Sequence, residues 1–252
     1  MTASDHYNQA ELAVLYDDDN GWDASADFYR DLGARIGAKS LLDLGCGTGT
    51  VTRGIAAALG CSAVGVDPAA PMLEVARKNM EGAAAEWVHG DARAVRLDRK
   101  FDLIIMTGHA FQAFLTDADQ EALFRTVAAH LAPNGRFGFD SRNPAAQEWL
   151  EWTPALSSRV VDTKAYGAVE IWDEAEMNAD GILDVVEHYR ILSSDKRLRS
   201  DFRLLFSPQD TLAERMTASG LAVEACHGDW DGRTFTEDAR EIIMIGKSAK
   251  PC

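Results

Sequence analysis

Asp43, Gly45, Gly47 and Gly49 form the densest chemical signal in the chain, in the run Asp43-Leu-Gly45-Cys46-Gly47-Thr-Gly49-Thr50. Glycine has no Cβ, so it admits positive φ and lets a ligand approach the backbone closely. The spacing Gly-x-Gly-x-Gly differs from the Gly-x-Gly-x-x-Gly of dinucleotide sites, and no Gly-Lys-Ser/Thr follows for a triphosphate. A carboxylate just ahead of the first glycine suits a cationic ligand and would repel a pyrophosphate. A second acid, Asp67, closes the next apolar run, where a ribose-binding carboxylate belongs in nucleotide-type folds. Farther on, Thr107-Gly108-His109-Ala-Phe111-Gln112 sets a group that titrates near neutral pH beside two candidate pocket walls, Phe111 and Gln112. His109 is therefore the candidate general base for an acceptor that arrives protonated; a hydrogen-bonded loop histidine is the plainer alternative. Arg142 and Asn143, with Arg199 or Arg203, could clamp a substrate carboxylate, because guanidinium forks match carboxylates. A solvated face would explain the same arginines.

These residues need a frame that gathers them. Strand-like runs fall at Leu41–Leu44, Ser62–Val66, Ala85–His89, Phe101–Met106 and Arg136–Asp140, and helical spacing at Ala24–Ile36, 50–59, Pro71–Met80 and Asp119–Leu131. Such alternation predicts a parallel sheet with helices on both faces, and ligands then bind beyond the carboxyl ends of the strands. Those ends carry Asp43, Asp67, Gly90-Asp91, Thr107-Gly108-His109 and Asp140-Ser141-Arg142. After Asp140 the pattern changes. Over 159–206 it alternates in twos, with Leu198, Ser200, Phe202, Leu204 and Phe206 on one face, and Asn178-Ala-Asp180-Gly181 and Ser193-Ser-Asp195-Lys196 read as hairpin turns. A helix over Pro208–Gly220 and strands at Leu221–Asp229 and Glu241–Lys247 complete the chain. The expected fold is α/β: a Rossmann-like, doubly wound, mostly parallel seven-stranded sheet with a small antiparallel β insert after the fifth strand. Trp149, Trp152 and Trp172 either line an acceptor pocket or form a satellite core beneath that insert. His188 reads as a packing or surface group, and His89 as a brace at the end of the third strand.

From Leu41 to Asp140 the sequence resembles the class I S-adenosylmethionine-dependent methyltransferases of the small-molecule type. The resemblance implies that Asp43 to Gly49, with Cys46 as a small loop residue, wraps the methionine half of S-adenosyl-L-methionine. It implies Asp67 on the ribose hydroxyls with Pro68 beside it, Met72 against adenine, and Asp91 with Ala92 near the adenine amino group. Thr107 and Gly108 would contact the cofactor, and Tyr16 or Trp22, from an N-terminal segment that includes Tyr7, would close the sulfonium pocket; the alternative is that both are packing aromatics. It implies a division into 1–38 (cofactor cover), 39–140 (cofactor core), 141–206 (insert and substrate cap) and 207–252 (end of the core) within one domain, 1–252. Leu131-Ala-Pro133-Asn134-Gly135 matches the turn before the fifth strand and is structural. The cysteine clusters of radical and metal-dependent relatives are missing. So is the Asn/Asp-Pro-Pro-aromatic signature of nucleic-acid amine methyltransferases, which points to a small-molecule acceptor with an N, O or carboxylate nucleophile.

Composition agrees with this reading. The chain has 252 residues, 46% of them hydrophobic, enough for a globular core. A net charge of −15 disfavours nucleic acid and anionic membrane partners. Cys46, Cys61, Cys226 and Cys252 form no Cys-x-x-Cys pair, so neither a metal site nor a disulfide framework is expected. With no basic-then-apolar leader pattern and no apolar run near the ~18 residues a bilayer requires, the expected compartment is the cytoplasm. The insert offers a surface for a homodimer. Two other readings stay open: a binding module that holds the cofactor without transfer, and an NAD-dependent oxidoreductase, which the glycine spacing and Asp43 disfavour.

Overall fold

The structure is a computed structural model and describes residues 9–79 and 85–249; Tyr7, the expected helix end at Met80, and Cys252 lie outside these. Five strands come first: β1 (Ser40–Leu44), β2 (Ser62–Asp67), β3 (Ala85–His89), β4 (Phe101–Met106) and β5 (Leu131–Arg142). The insert contributes β6 (Arg159–Thr163), β7 (Gly167–Met177), β8 (Ile182–Ile191) and β9 (Lys196–Leu205), and β10 (Leu221–His227) and β11 (Glu241–Ser248) return to the core. The main sheet runs β10-β11-β5-β4-β1-β2-β3, with only β11 antiparallel to its neighbours. Strand order reverses between β1 and β4, which opens a crevice at their carboxyl ends.

Alternate residues of these strands feed two cores. Leu41, Leu103, Ile105, Ile243 and Ile245 pack under α1 (Ala24–Ile36) and α2 (Thr50–Leu59). Leu42, Leu44, Ile104, Met106 and Met244 pack with Phe111, Phe124, Phe137 and Phe139 under α4 (Asp117–His130) and α5 (Gln209–Ala218). The remaining long helix, α3 (Ala70–Lys78), follows β2. Asp23 caps α1 by accepting from Ser25 N (2.9 Å) and Ala26 N (3.2 Å), and Gly37 ends it at φ 65°. The expected Pro133-Asn134-Gly135 turn lies inside β5, where pairing with β4 jumps from Phe101↔Leu131 to Leu103↔Arg136. No helix among the described residues is long and apolar enough to cross a membrane.

The insert is an antiparallel meander, β6-β7-β8-β9, with both expected turns in place: Met177 faces Leu183 and Ile191 faces Lys196. Trp149 and Trp152 pack edge-on against Phe206 in its satellite core. Trp172 instead stacks on His188, with centroids 4.9 Å apart and planes 6° from parallel. A strap over Gln9–Asp19 crosses from one sheet to the other. Its Leu12 and Leu15 pack on the insert. Asp17 accepts from the hydroxyls of Thr48 and Thr50 in the glycine loop, Asp18 accepts from Lys164 N, and Asp19 pairs with Arg159 of β6.

Two glycines are dictated by a residue that the sequence pattern does not flag. A Cβ on Gly49 would lie 2.2 Å from the Trp87 ring, and one on Gly65 would lie 2.5 Å from it. The indole thus crosses β2 and reaches the start of α2. Gly49 also sits at φ 74°. Gly49→Ala therefore combines left-handed strain with overpacking and should lower unfolding free energy by about 2–5 kcal/mol in urea titration. In a Trp87→Ala background the overpacking part should vanish and the cost of Gly49→Ala should fall to about 1–2 kcal/mol.

Candidate active site

The crevice is built around Asp43. This residue is 1% exposed. Its Oδ2 accepts from Thr52 Oγ1 at 2.6 Å, and its Oδ1 has no hydrogen-bond partner among the described residues. Burial pushes its pKa up to about 7; the Thr52 hydrogen bond opposes this, and the charges of Asp67 and Asp140 add to it. A buried acceptor left open in this way costs about 1–3 kcal/mol and calls for a donor that the fold does not supply.

Asp67 ends β2 and rivets the loop. Its Oδ2 accepts from Gly47 N at 2.9 Å and its Oδ1 from Ala69 N at 2.7 Å. Burial raises its pKa, against the pull of those two N–H groups. Gly45 N and Cys46 N both donate to Val66 O, at 2.8 and 3.2 Å, so the turn is sewn to the end of β2. A Cβ on Gly45 would lie 3.1 Å from Ala110 Cβ, which brings the loops after β1 and β4 into contact. Cys46 Sγ rests where a Gly65 side chain would begin, and burial pushes its thiol pKa up; it is a small packing group in the turn.

The strap covers this crevice through Tyr16, whose ring lies 3.9 Å from a Cβ position at Gly47 and whose hydroxyl lies 3.9 Å from one at Gly108. Met72 lies below, 3.3 Å from the Gly47 position and 1% exposed, against Ala13 and Ala69. Trp22 does not join them. Its indole N–H donates to Asp27 at 2.9 Å and its ring fills the groove over Gly54 of α2, because a helical glycine gives the large ring a seat outside the crevice.

Asp91 also departs from expectation. Arg93, two residues on, takes its carboxylate and holds its pKa low, and the same guanidinium binds Asp119. The third acid beside Asp43 and Asp67 is instead Asp140, which has no exposed surface. It accepts from Tyr29 Oη at 2.9 Å and from His109 N at 2.7 Å. Ala92 turns into the core, and Pro68 is exposed with its carbonyl against His89 Nε2 at 2.8 Å.

At the mouth, His109 sits at φ 57°, a left-handed conformation fixed by its bond to Asp140. Its Nε2 lies 2.9 Å from Glu241 Oε2. Thr107 O accepts from Ala110 N, and Gly108, at φ 64°, is exposed. Phe111, expected to wall an acceptor pocket, is fully buried and packs on Phe139 (4.5 Å) and Phe124 (5.4 Å). The short turn after β4 drives it into the phenylalanine cluster. Asn143 is likewise spent on structure, donating to Glu237 O and Ala239 O and capping Ala145 N. Arg142 binds Glu148 and Gln112 and lies 5.0 Å over the Trp152 ring, so it is no free clamp, and Arg199 is paired with Asp201. Gln112 is fully buried; its Oε1 accepts from Arg142, and its Nε2 has no partner among the described residues.

These residues fit S-adenosylmethionine. Asp43 Oδ1 is an open acceptor, the glycines put no side chains into the crevice, and three neighbouring acids favour a positive ligand. Binding of the cation needs Asp43 ionised, and its pKa stands near 7 rather than at the usual carboxylate value. Protonation as pH falls through 7 therefore removes the attraction. Titration calorimetry with S-adenosylhomocysteine, which keeps the ammonium, should show affinity falling by up to about tenfold per pH unit below 7. Asp43→Asn should bind weakly and lose that slope.

Residues 41–135 match the model of a methyltransferase domain family. The chain is 37% identical over 221 residues to the cypemycin N-terminal methyltransferase of a Streptomyces species, covering 83% of each chain. It is 26% identical to the dTDP-3-amino-3,6-dideoxy-alpha-D-glucopyranose N,N-dimethyltransferase of Streptomyces fradiae, covering 78% of this chain and 75% of that one. Its fold matches an S-adenosylmethionine-dependent methyltransferase from Clostridium acetobutylicum with a TM-score of 0.78 at 18% identity, covering 95% and 98% of the two chains. A cation-seeking crevice on a sheet of this order, with a relative this similar over most of its length, makes the chain a member of the S-adenosylmethionine-dependent methyltransferases.

Proposed function

We propose that this methyltransferase acts on an amino nitrogen of a small molecule. The unpartnered, buried carboxylate of Asp43 carries the cofactor half of the reading. The acceptor half is supported by the 37% identity to an enzyme named for methylating an N-terminus and by the resemblance to an amino-sugar N,N-dimethyltransferase. We assign cofactor cover to 1–38, cofactor binding to 39–140, acceptor capping to 141–206 and completion of the core to 207–252.

S-adenosylmethionine supplies a methyl group already activated by its sulfonium, so the chain's task is mainly alignment, worth roughly 7–11 kcal/mol. Asp43 holds the cationic end; Asp67 serves the ribose, and Met72 the adenine. Tyr16 and the strap exclude water from the sulfur. An amine arrives protonated and must lose a proton before it can attack. His109 takes it: with Nε2–H donating to Glu241, Nδ1 is the basic nitrogen, and Glu241 stabilises the imidazolium. The acid surplus keeps nucleic acid away. We place the reaction in the cytoplasm, where the thiols of Cys46, Cys61 and Cys226 persist. The surface we assign to a second copy is the insert edge, where Leu156 and Val160 are exposed.

Incubation with labelled S-adenosylmethionine and either dTDP-3-amino-3,6-dideoxyglucose or a tripeptide with a free N-terminus should transfer label to the amine and not to its N-acetylated counterpart. Transfer to hydroxyl or carboxylate acceptors alone would overturn the reading. His109→Ala should lower kcat by about 10²–10⁴-fold while leaving S-adenosylhomocysteine affinity unchanged.

A further inference from the structure

Tyr29 of α1 has no exposed surface, yet it carries a hydroxyl into the core. Its ring stands edge-on to Phe28 (5.5 Å, 88°) and to Trp230 (6.0 Å, 67°). It crosses β5 at Gly138, where a Cβ would lie 2.6 Å from the ring, so the missing side chain gives the phenol its seat. The hydroxyl then reaches the next residue on the same face of the strand, donating to Asp140 Oδ1 at 2.9 Å. Ile245 and Ile243 of β11 lie opposite Gly138 and Asp140 and are buried. The hydrogen bond is therefore made in apolar surroundings, which strengthen it. Burial and the charge of Asp140 hold the phenol well above its ordinary pKa, so it stays a donor.

The second oxygen of Asp140 holds His109. Oδ2 accepts from His109 N at 2.7 Å. His109 sits at φ 57° and ψ 19°, directly after Gly108 at φ 64°. A residue with a side chain keeps such a conformation only where its surroundings impose it, and Asp140 is the group that does so here. The turn carries the imidazole from the end of β4 past the end of β5 to β11. There Nε2 lies 2.9 Å from Glu241 Oε2 and 3.9 Å from Asp140 Oδ2. A carboxylate rotates easily about its last torsion when one bond holds it. Asp140 is held on both oxygens, one by a helix and one by the turn, and cannot.

We propose that Tyr29 is a positioning residue for methyl transfer: by fixing Asp140 it holds the His109 backbone in the left-handed turn that presents the imidazole to Glu241 and to the acceptor amine. The inference rests on the assignment of His109 as base and extends it to α1, a helix within the segment assigned to cofactor cover. Tyr29 touches neither reactant in this role. Its loss lets the base drift from its productive geometry, which lowers the rate and leaves cofactor binding alone.

Transfer of label from S-adenosylmethionine to dTDP-3-amino-3,6-dideoxyglucose and to a free tripeptide amide tests this in wild type, Tyr29→Phe, His109→Ala and the double variant. Tyr29→Phe keeps the ring and removes only the hydroxyl. It should lower kcat about three- to tenfold, with KM for the amine and calorimetric affinity for S-adenosylhomocysteine held within about twofold. Unchanged S-adenosylhomocysteine binding also reports that the variant is folded. In the His109→Ala background the same substitution should change kcat by less than about twofold, because a residue that acts only through the base has nothing left to position. A hydroxyl with a purely structural role would lower kcat equally in both backgrounds or not at all, and either result overturns the inference. Wild type that methylates neither amine, or His109→Ala at the wild-type rate, would remove the base's role and the inference with it, and both would show in proteins that retain Tyr29.

Discussion

Three carboxylates, Asp43, Asp67 and Asp140, are buried at the ends of strands on either side of the topological switch. Removing such groups from water is costly, and the charges of Asp67 and Asp140 raise the cost for Asp43. The fold meets part of it with Thr52, with the amides of Gly47, Ala69 and His109, and with the Tyr29 hydroxyl. One oxygen of Asp43 is left without a partner. α2 brings Thr52 to the other oxygen, and the glycine turn begins two residues on. Stability is given up where the ligand can restore it, as expected of functional sites.

Much of this frame was legible in the sequence, because its signals are local. Asp43 and the alternating glycines lie within seven residues, the β/α alternation predicts the sheet, and Asn178–Gly181 marks a hairpin whatever surrounds it. The insert and the final strands were readable for the same reason. What escaped depends on contacts between distant segments. Trp87 explains Gly49 and Gly65 only once β3 is laid beside β2. Glu241 meets His109 because β11 pairs with β5 in one register, placing Glu241 opposite Arg142. Asp91 looked available because Arg93's reach around to it is a rotamer choice that spacing does not encode. Phe111 was misplaced for a related reason. Residues after a strand end are expected at the surface, but a single turn of 3₁₀ helix returned this one to the core.

The strap joins both halves of the molecule with three consecutive aspartates, each given a different partner. Asp17 binds the glycine loop, Asp18 a backbone amide of the insert, and Asp19 the guanidinium of Arg159. As a bare run, Asp17–Asp19 reads as a solvated turn. Its meaning comes from one helical turn, Tyr16–Asp19, which fans successive side chains in different directions. The tyrosine at the head of the same turn lies over the crevice, so the element that links the two sheets also overlies the glycine loop.

Arg159 answers at once to the strap and to two acids on the insert. Whatever lifts the strap away from the glycine loop also removes Asp19 from this guanidinium and redistributes charge along β7 and β8. Strap and insert are thereby mechanically joined through a single arginine.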